Sequence, residues 1–133
     1  MSVETTATKC VELCKQGTNF DVMRTRYAPD LVPVGGDGRE TKGRQPVIRN
    51  SEVYGGNNAI HGRPPRGPFF CGGHEANVGQ FAVFHTPDVT RKAGGERATI
   101  DEVAPYTVEN DKITREEFFY DGIFQQVKPP AHG

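Results

Sequence analysis

The hydrophobic period of this chain changes once, near residue 57, and that change limits the available folds more than any other feature. Up to Tyr54 the apolar residues recur at helical spacing, whereas beyond Asn57 they alternate or run in short blocks cut by Gly and Pro. In "SVETTATKCVELCKQG" the positions Ala7, Cys10, Val11 and Cys14 share one face, so an amphipathic helix is predicted from Val3 to Gln16, with Gly17 as its stop. A second helix is predicted to start after Thr18 or Asn19, to present Phe20, Met23 and Tyr27 together, and to end at Pro29. "LVPVGG" reads as a short strand that Pro33 confines to an edge or a bulge. A third helix is predicted from about Arg44 to Tyr54, with Pro46 tolerated in its first turn and Gly55-Gly56 closing it.

The remainder reads as strand. "NAIHGRPPRGPFF" is extended but broken by prolines, "GQFAVFHTPDVT" and "ERATIDEVAPYTVE" flank an "RKAGG" turn, and "KITREEFFYD" follows the turn "END". Helices first and antiparallel strands afterwards is the α+β pattern, and 133 residues suffice for one core but not for two. The chain is therefore expected to be a single domain, residues 1–133, with a mobile or strapping tail from about residue 125.

Charge and cysteine usage exclude several classes of function. Sixteen Lys and Arg stand against seventeen Asp and Glu, spread along the chain, so no basic patch is available for nucleic acid. No apolar run is long enough to span a membrane, and the N-terminal stretch lacks an export pattern, so a cytoplasmic protein is expected. Cys10, Cys14 and Cys71 make an odd count that argues for free thiols. Cys10 and Cys14 share a helical face, and Cys71 with His74 has half of a zinc spacing, yet no second pair completes either. Gly35-Gly36-Asp37-Gly38 is followed by neither a Lys-Ser/Thr pair nor a helix start, so no phosphate loop is expected. No metal and no cofactor are expected.

Four words in order carry a resemblance: Tyr27-Ala28-Pro29-Asp30, Gly43-Arg44, Gly67-Pro68, and "DEVAPYTVENDKITREEFFYD" at the end. With the order of elements, they make the chain similar to the SnoaL-like branch of the nuclear transport factor two-like superfamily. That resemblance implies a cone-shaped fold of three N-terminal helices wrapped by a curved, mainly antiparallel β-sheet around an internal pocket. Relatives include ketosteroid isomerases, polyketide cyclases, limonene epoxide hydrolase, dehydratases and proteins with no chemistry, so the fold alone does not decide the function. Aligned on these words, the three isomerase groups fall on Gly35, Val11 and Ala104, none of which can move a proton or donate from its side chain.

Strand alternation selects the replacements. Ile100, Glu102, Ala104, Tyr106 and Val108 share one face of the penultimate strand, and the resemblance turns Glu116, Phe118 and Tyr120 inward on the last. Glu102, Glu116 and His61 are therefore the candidate catalytic groups, since a carboxyl on an apolar face is primed for acid or base work by desolvation. Glu102 and Glu116 could instead be paired with Arg63, Arg66 or Arg97. Tyr106, Phe118, Tyr120 and Phe84 are the candidate ligand contacts, His85 is a weaker histidine candidate, and Tyr27 is expected in the core with its hydroxyl in water. Glu117 is expected on the outer face beside Arg115. The adjacent aromatics of the last strand imply that a second copy of the chain covers the outer face of the sheet. Two functions fit: acid/base chemistry on an apolar, oxygen-bearing small molecule, or a non-catalytic ligand-binding or dimerisation module.

Overall fold

Ser2 starts the first helix through its side chain, whose hydroxyl accepts the Thr5 amide at 3.1 Å and satisfies one donor that a helix start leaves unpaired. In the computed structural model, which describes residues 2–17, 19–35, 38–71 and 76–120, α1 spans Val3–Lys15 and buries Val3, Thr6, Ala7, Cys10 and Val11. Gly17 follows at φ +76°, a left-handed conformation open to glycine, and its amide bonds the Cys14 carbonyl at 3.0 Å. The tail from residue 125 and His74 lie outside the described residues.

The second helix, α2 (Asn19–Thr25), is shorter than the prediction, and Tyr27 belongs not to it but to strand β1 (Tyr27–Val34). The reason is long-range. Tyr27 pairs with Ile113, 86 positions away in the chain (113 less 27), and the Arg26 carbonyl accepts the Ile113 amide at 2.7 Å, so sheet pairing pulls the residue out of helical geometry. The ladder is interrupted between Tyr27 and Val32, the stretch in which Pro29 has no amide to donate. α3 (Arg44–Asn57) runs past Gly55-Gly56, where the sequence predicts an end. Two glycines weaken a helix by only about 1 kcal/mol each. Asn58 meanwhile caps the carbonyl of Tyr54 with its side-chain amide at 3.0 Å.

Among the described residues, β1 and the alternating half of the chain form nine strands. The large sheet has the order β1-β8-β7-β4-β3, with β3 Pro65–Cys71, β4 Val78–His85, β7 Glu102–Glu109 and β8 Lys112–Glu117, and β9 (Phe119–Tyr120) continues along β7. Its pairings are antiparallel except β1 with β8, and β1 lies at an edge, where Pro33 is tolerated. A smaller sheet, β2-β5-β6, is made by Asn58–Gly62, Asp88–Arg91 and Arg97–Thr99, a division the sequence did not announce. The β7–β8 hairpin turns at Asn110 and Asp111, both at positive φ (50° and 66°), as a two-residue hairpin of this hand requires.

The helices lie on the inner face of the large sheet. α1 contributes Val3, Ala7, Cys10 and Val11 to a core shared with Leu31, Phe81, Val83, Ala104, Tyr106, Val108 and Ile113. The architecture is thus α+β, with three helices among the described residues against an open, mainly antiparallel sheet. The outer face stays apolar in places: Phe69, Val78 and Phe119 are each more than half exposed.

Candidate functional site

Strand β7 keeps strict alternation, so Glu102, Ala104, Tyr106 and Val108 all face the helices and are buried. Strand β8 does not. Between Ile113 and Arg115 its register slips against β7 by one residue, a bulge that turns both Ile113 and Glu116 inward although they are three apart. Glu116 then stands opposite Tyr106, and further along the same face Tyr120 stands opposite Glu102.

Between this inner face and the helices lies a cavity of about 470 Å³. Glu102, Tyr106, Glu116, Phe118 and Tyr120 line it, together with Tyr27, Arg63, Tyr54 and the two thiols of α1. Glu102 and Glu116 are separated by four strand positions, about 13 Å of backbone, so they form two stations and not one carboxyl pair.

The first station is Glu116, 2 % exposed. Tyr27 donates its hydroxyl to the Glu116 carboxylate, so the tyrosine expected to be wet is instead buried and engaged. Burial pushes the Glu116 carboxyl up to about 7, against the opposing pull of the Tyr27 hydrogen bond and the Arg63 charge. Burial also holds Tyr27 and Tyr106 well above the ordinary phenol range, so both are protonated donors at neutral pH. Tyr106 is fixed by stacking on Phe81, with ring centroids 4.9 Å apart.

The second station is an ion pair. The Arg63 guanidinium donates to Glu102, and the side chains are 23 % and 8 % exposed, so of the three arginines proposed as structural partners it is Arg63 that takes the role. Burial pulls the guanidinium down, but Glu102 and its other neighbours outweigh that and hold it above its ordinary value. Tyr120 lies at the same end, raised by burial and by Glu102. Arg97 is spent on Asp88 at 2.8 and 2.9 Å, and Arg66 lies over the Phe84 ring at 4.7 Å.

Three expected site residues lie elsewhere. His61 is exposed and bonds Thr90 Oγ1 at 2.7 Å, because it alternates with Ile60, which lines the cavity, and so falls on the opposite face of β2. The register shift between Ile60 and Gly62 reverses the alternation and brings Arg63 to the cavity wall. Phe84 alternates with the buried Val83 and His85 and so falls on the outer face, under Arg66. His85 does point inward, opposite Glu102 in register, but it is fully buried and does not line the cavity. Neither ring nitrogen meets hydrogen-bond geometry with a partner among the described residues, and burial followed by the Arg63 charge pushes the ring down to about 3, leaving it neutral. Glu117 faces outward, 3.6 Å from Arg115, which also bonds Glu40.

Arg63 and Tyr27 are the two residues whose importance at the site sequence reasoning underrates. Arg63 is legible in the sequence only as one of several cations, and helical spacing places Tyr27 on the wrong element. Gly35 lines the cavity, and Val11 and Ala104 sit in the core, so the positions that the resemblance assigns to the three isomerase groups carry no acid, base or side-chain donor. A carboxyl nevertheless reaches the cavity, on the neighbouring strand, through the β8 bulge.

Known structures share this fold. A crystal structure of a Mesorhizobium loti protein, whose name gives both SnoaL-like polyketide cyclase and carbohydrate phosphatase, is 36 % identical, covering 90 % of this chain and 100 % of that one, with a TM-score of 0.80. A nuclear transport factor two-like protein of unknown function from Burkholderia pseudomallei superposes at 0.73 over 97 % of this chain and 100 % of that one with 18 % identity, a likeness of fold alone. A SnoaL-like polyketide cyclase from Agrobacterium tumefaciens does so at 0.66, over 96 % and 98 %, with 15 % identity. No curated protein matches the chain in sequence. Residues 1–120 match the SnoaL-like domain family, and the chain belongs to that family.

Proposed function

We propose that the protein transfers protons within an apolar, oxygen-bearing small molecule held in the cavity, as an isomerase, dehydratase, cyclase or hydrolase would. Glu116 is the base and acid. The observation that carries the reading is a carboxyl on a cavity wall raised to about 7, where it accepts and returns a proton with little bias at neutral pH. Tyr106, directly opposite in register, is the donor for a developing oxyanion. The Arg63–Glu102 pair supplies a polar, charge-neutral end against which a substrate oxygen can orient. Glu102 thereby takes a positioning role in place of the catalytic one expected of it. Phe118 and Tyr120, with ring centroids 6.4 Å apart, form the apolar flank. The cyclase part of the name carried by the 36 % identical relative lends this reading support, whereas the phosphatase part of it does not.

The test is α-proton exchange. A panel of apolar ketones is incubated with the protein in deuterated buffer and followed by NMR, with Glu116→Gln alongside. Exchange above the buffer rate that falls about 10²- to 10⁴-fold in the variant is the expected result. A panel that binds in the cavity without exchanging would favour the second reading, a non-catalytic ligand-binding module. That reading has in its favour that Gly35, Val11 and Ala104 stand where the isomerase groups would be.

A second copy of the chain is the proposed partner, covering the outer face of the sheet where Phe69 and Phe119 are 51 % and 56 % exposed. Nucleic acid is not a proposed partner, since the net charge is -1. Among the described residues no helix is long and apolar enough to cross a membrane. The three free thiols suit the reducing cytoplasm, the location we assign.

A further inference from the structure

The ion pair with Arg63 uses only one of the two carboxylate oxygens of Glu102. Arg63 donates from Nη2 to Oε1, while Oε2 has no hydrogen-bond partner among the described residues. The Glu102 side chain is 8 % exposed, and the second oxygen opens on the cavity that Glu102 lines. His85, opposite Glu102 in register, does not serve it, since neither ring nitrogen meets hydrogen-bond geometry with a described residue. A buried carboxylate oxygen without a donor is costly. The cavity is the side from which a donor can arrive.

We propose that this oxygen reads a hydroxyl on the substrate, so that the molecule taken by the cavity is an apolar hydroxyketone, its hydroxyl at Glu102 and its carbonyl at Tyr106. The proposal rests on the proton-transfer reading for the carbonyl end and adds the chemistry of the other end. A hydroxyl donates to Oε2 and leaves the bond between Arg63 and Oε1 intact. A methyl group in the same place strips the oxygen of water and returns no bond. A carboxylate there is a second anion beside Glu102, with Arg63 the cation that both must share. The site thus disfavours the acid as well as the hydrocarbon.

Spacing along β7 sets the length of the molecule. Glu102 and Tyr106 lie four positions apart on one face of the strand, about 13 Å of backbone, so the two oxygens stand at opposite ends of a rigid skeleton that spans most of that distance. A cavity of about 470 Å³ is of the size that takes such a ligand. Tyr54 and Tyr120 also line it, and burial holds both phenols above their ordinary values. Neither adds a negative charge beside the hydroxyl at neutral pH.

The test uses three ketones, each a naphthalene with a butanone chain at one end and, at the other, a hydroxyl, a methyl group or a carboxylate. The chain has no tryptophan, so naphthalene emission reports binding directly. At neutral pH the hydroxyl compound should bind the full-length wild-type protein about tenfold or more tightly than the methyl compound, as one hydrogen bond to a charged acceptor provides, and the carboxylate should bind most weakly. In Glu102→Gln the order should change, because Arg63 loses its anion and the carboxylate becomes the tightest of the three. A merely structural Glu102 would instead weaken all three alike. Equal binding of the hydroxyl and methyl compounds, a carboxylate preference in the wild type, an unchanged order in Glu102→Gln, or no binding of any compound would each overturn the proposal. The wild-type series decides alone where the variant does not fold. Binding and α-proton exchange are separate readouts: exchange without this selectivity removes the hydroxyl reading only, and selectivity without exchange removes the role of Glu116 only.

Discussion

Replacing Glu116 by Gln should make the protein more stable in mild alkali and nearly indifferent there to pH. The folded state holds this carboxyl at about 7, whereas an unfolded chain returns it to an ordinary 4.5. Between those values the folded protein binds more protons than the unfolded one, so the contribution is complete below pH 4.5 and is lost as pH rises through 7. At about 1.4 kcal/mol per pH unit, the span corresponds to about 3 kcal/mol. Because Glu116 is 2 % exposed, solvent screening removes little of it. Gln keeps an acceptor for the Tyr27 hydroxyl but never ionises, so the variant lacks this slope. His85, pushed down to about 3, contributes the opposite slope, stability gained as pH rises from about 3 toward 6.5, but it does so in both proteins and cancels in the difference. The assay is urea unfolding of both proteins at intervals from pH 4.5 to 8.5. The stability difference should change by about 3 kcal/mol in favour of the variant across that range. Parallel curves would refute the reasoning, because they would mean that Glu116 titrates in the fold as it does in water.

Other outcomes follow from the same geometry. Glu102→Gln breaks the pair with Arg63 and should cost about 2 kcal/mol in urea unfolding, below the usual 3–5 kcal/mol for a buried pair because Arg63 is partly exposed; an unchanged midpoint would return Glu102 to a purely functional role. Tyr27→Phe removes the donor that holds the Glu116 carboxyl down, so its titration, followed by carboxyl carbon NMR, should move to higher pH. His61→Ala should leave cavity binding and any proton exchange within twofold of wild type, since the ring faces Thr90 on the far side of β2. Light scattering at micromolar concentration should report a dimer that Phe119→Lys with Phe69→Lys converts to a monomer, whereas a wild-type monomer would remove the proposed partner.

Local information was enough for most of the elements and insufficient for their meetings. The helix of Val3–Lys15, the stop at Gly17, the Asn110-Asp111 turn and the inward face of β7 depend on periodicity and on the backbone freedom of single residues, which are written in consecutive positions. Glu102, Tyr106 and Glu116 are therefore legible as candidates from strand alternation and family resemblance. Which of them would be paired is not. Tyr27 reaches Glu116 across 89 positions and Arg63 reaches Glu102 across 39, and no spacing rule operates over such separations. Bulges added a second loss of information. One extra residue in β2 brought Arg63 to the cavity wall, and one in β8 turned Ile113 and Glu116 to the same side. A side-chain period of two carries orientation only while the ladder stays regular, and a single inserted residue reverses every assignment beyond it. The chain sequence determined an α+β fold with carboxyls on apolar strands; the tertiary structure decided that one carboxyl is spent on an arginine and that the other stands buried beside a tyrosine, because those outcomes depend on strand register and on partners distant in sequence.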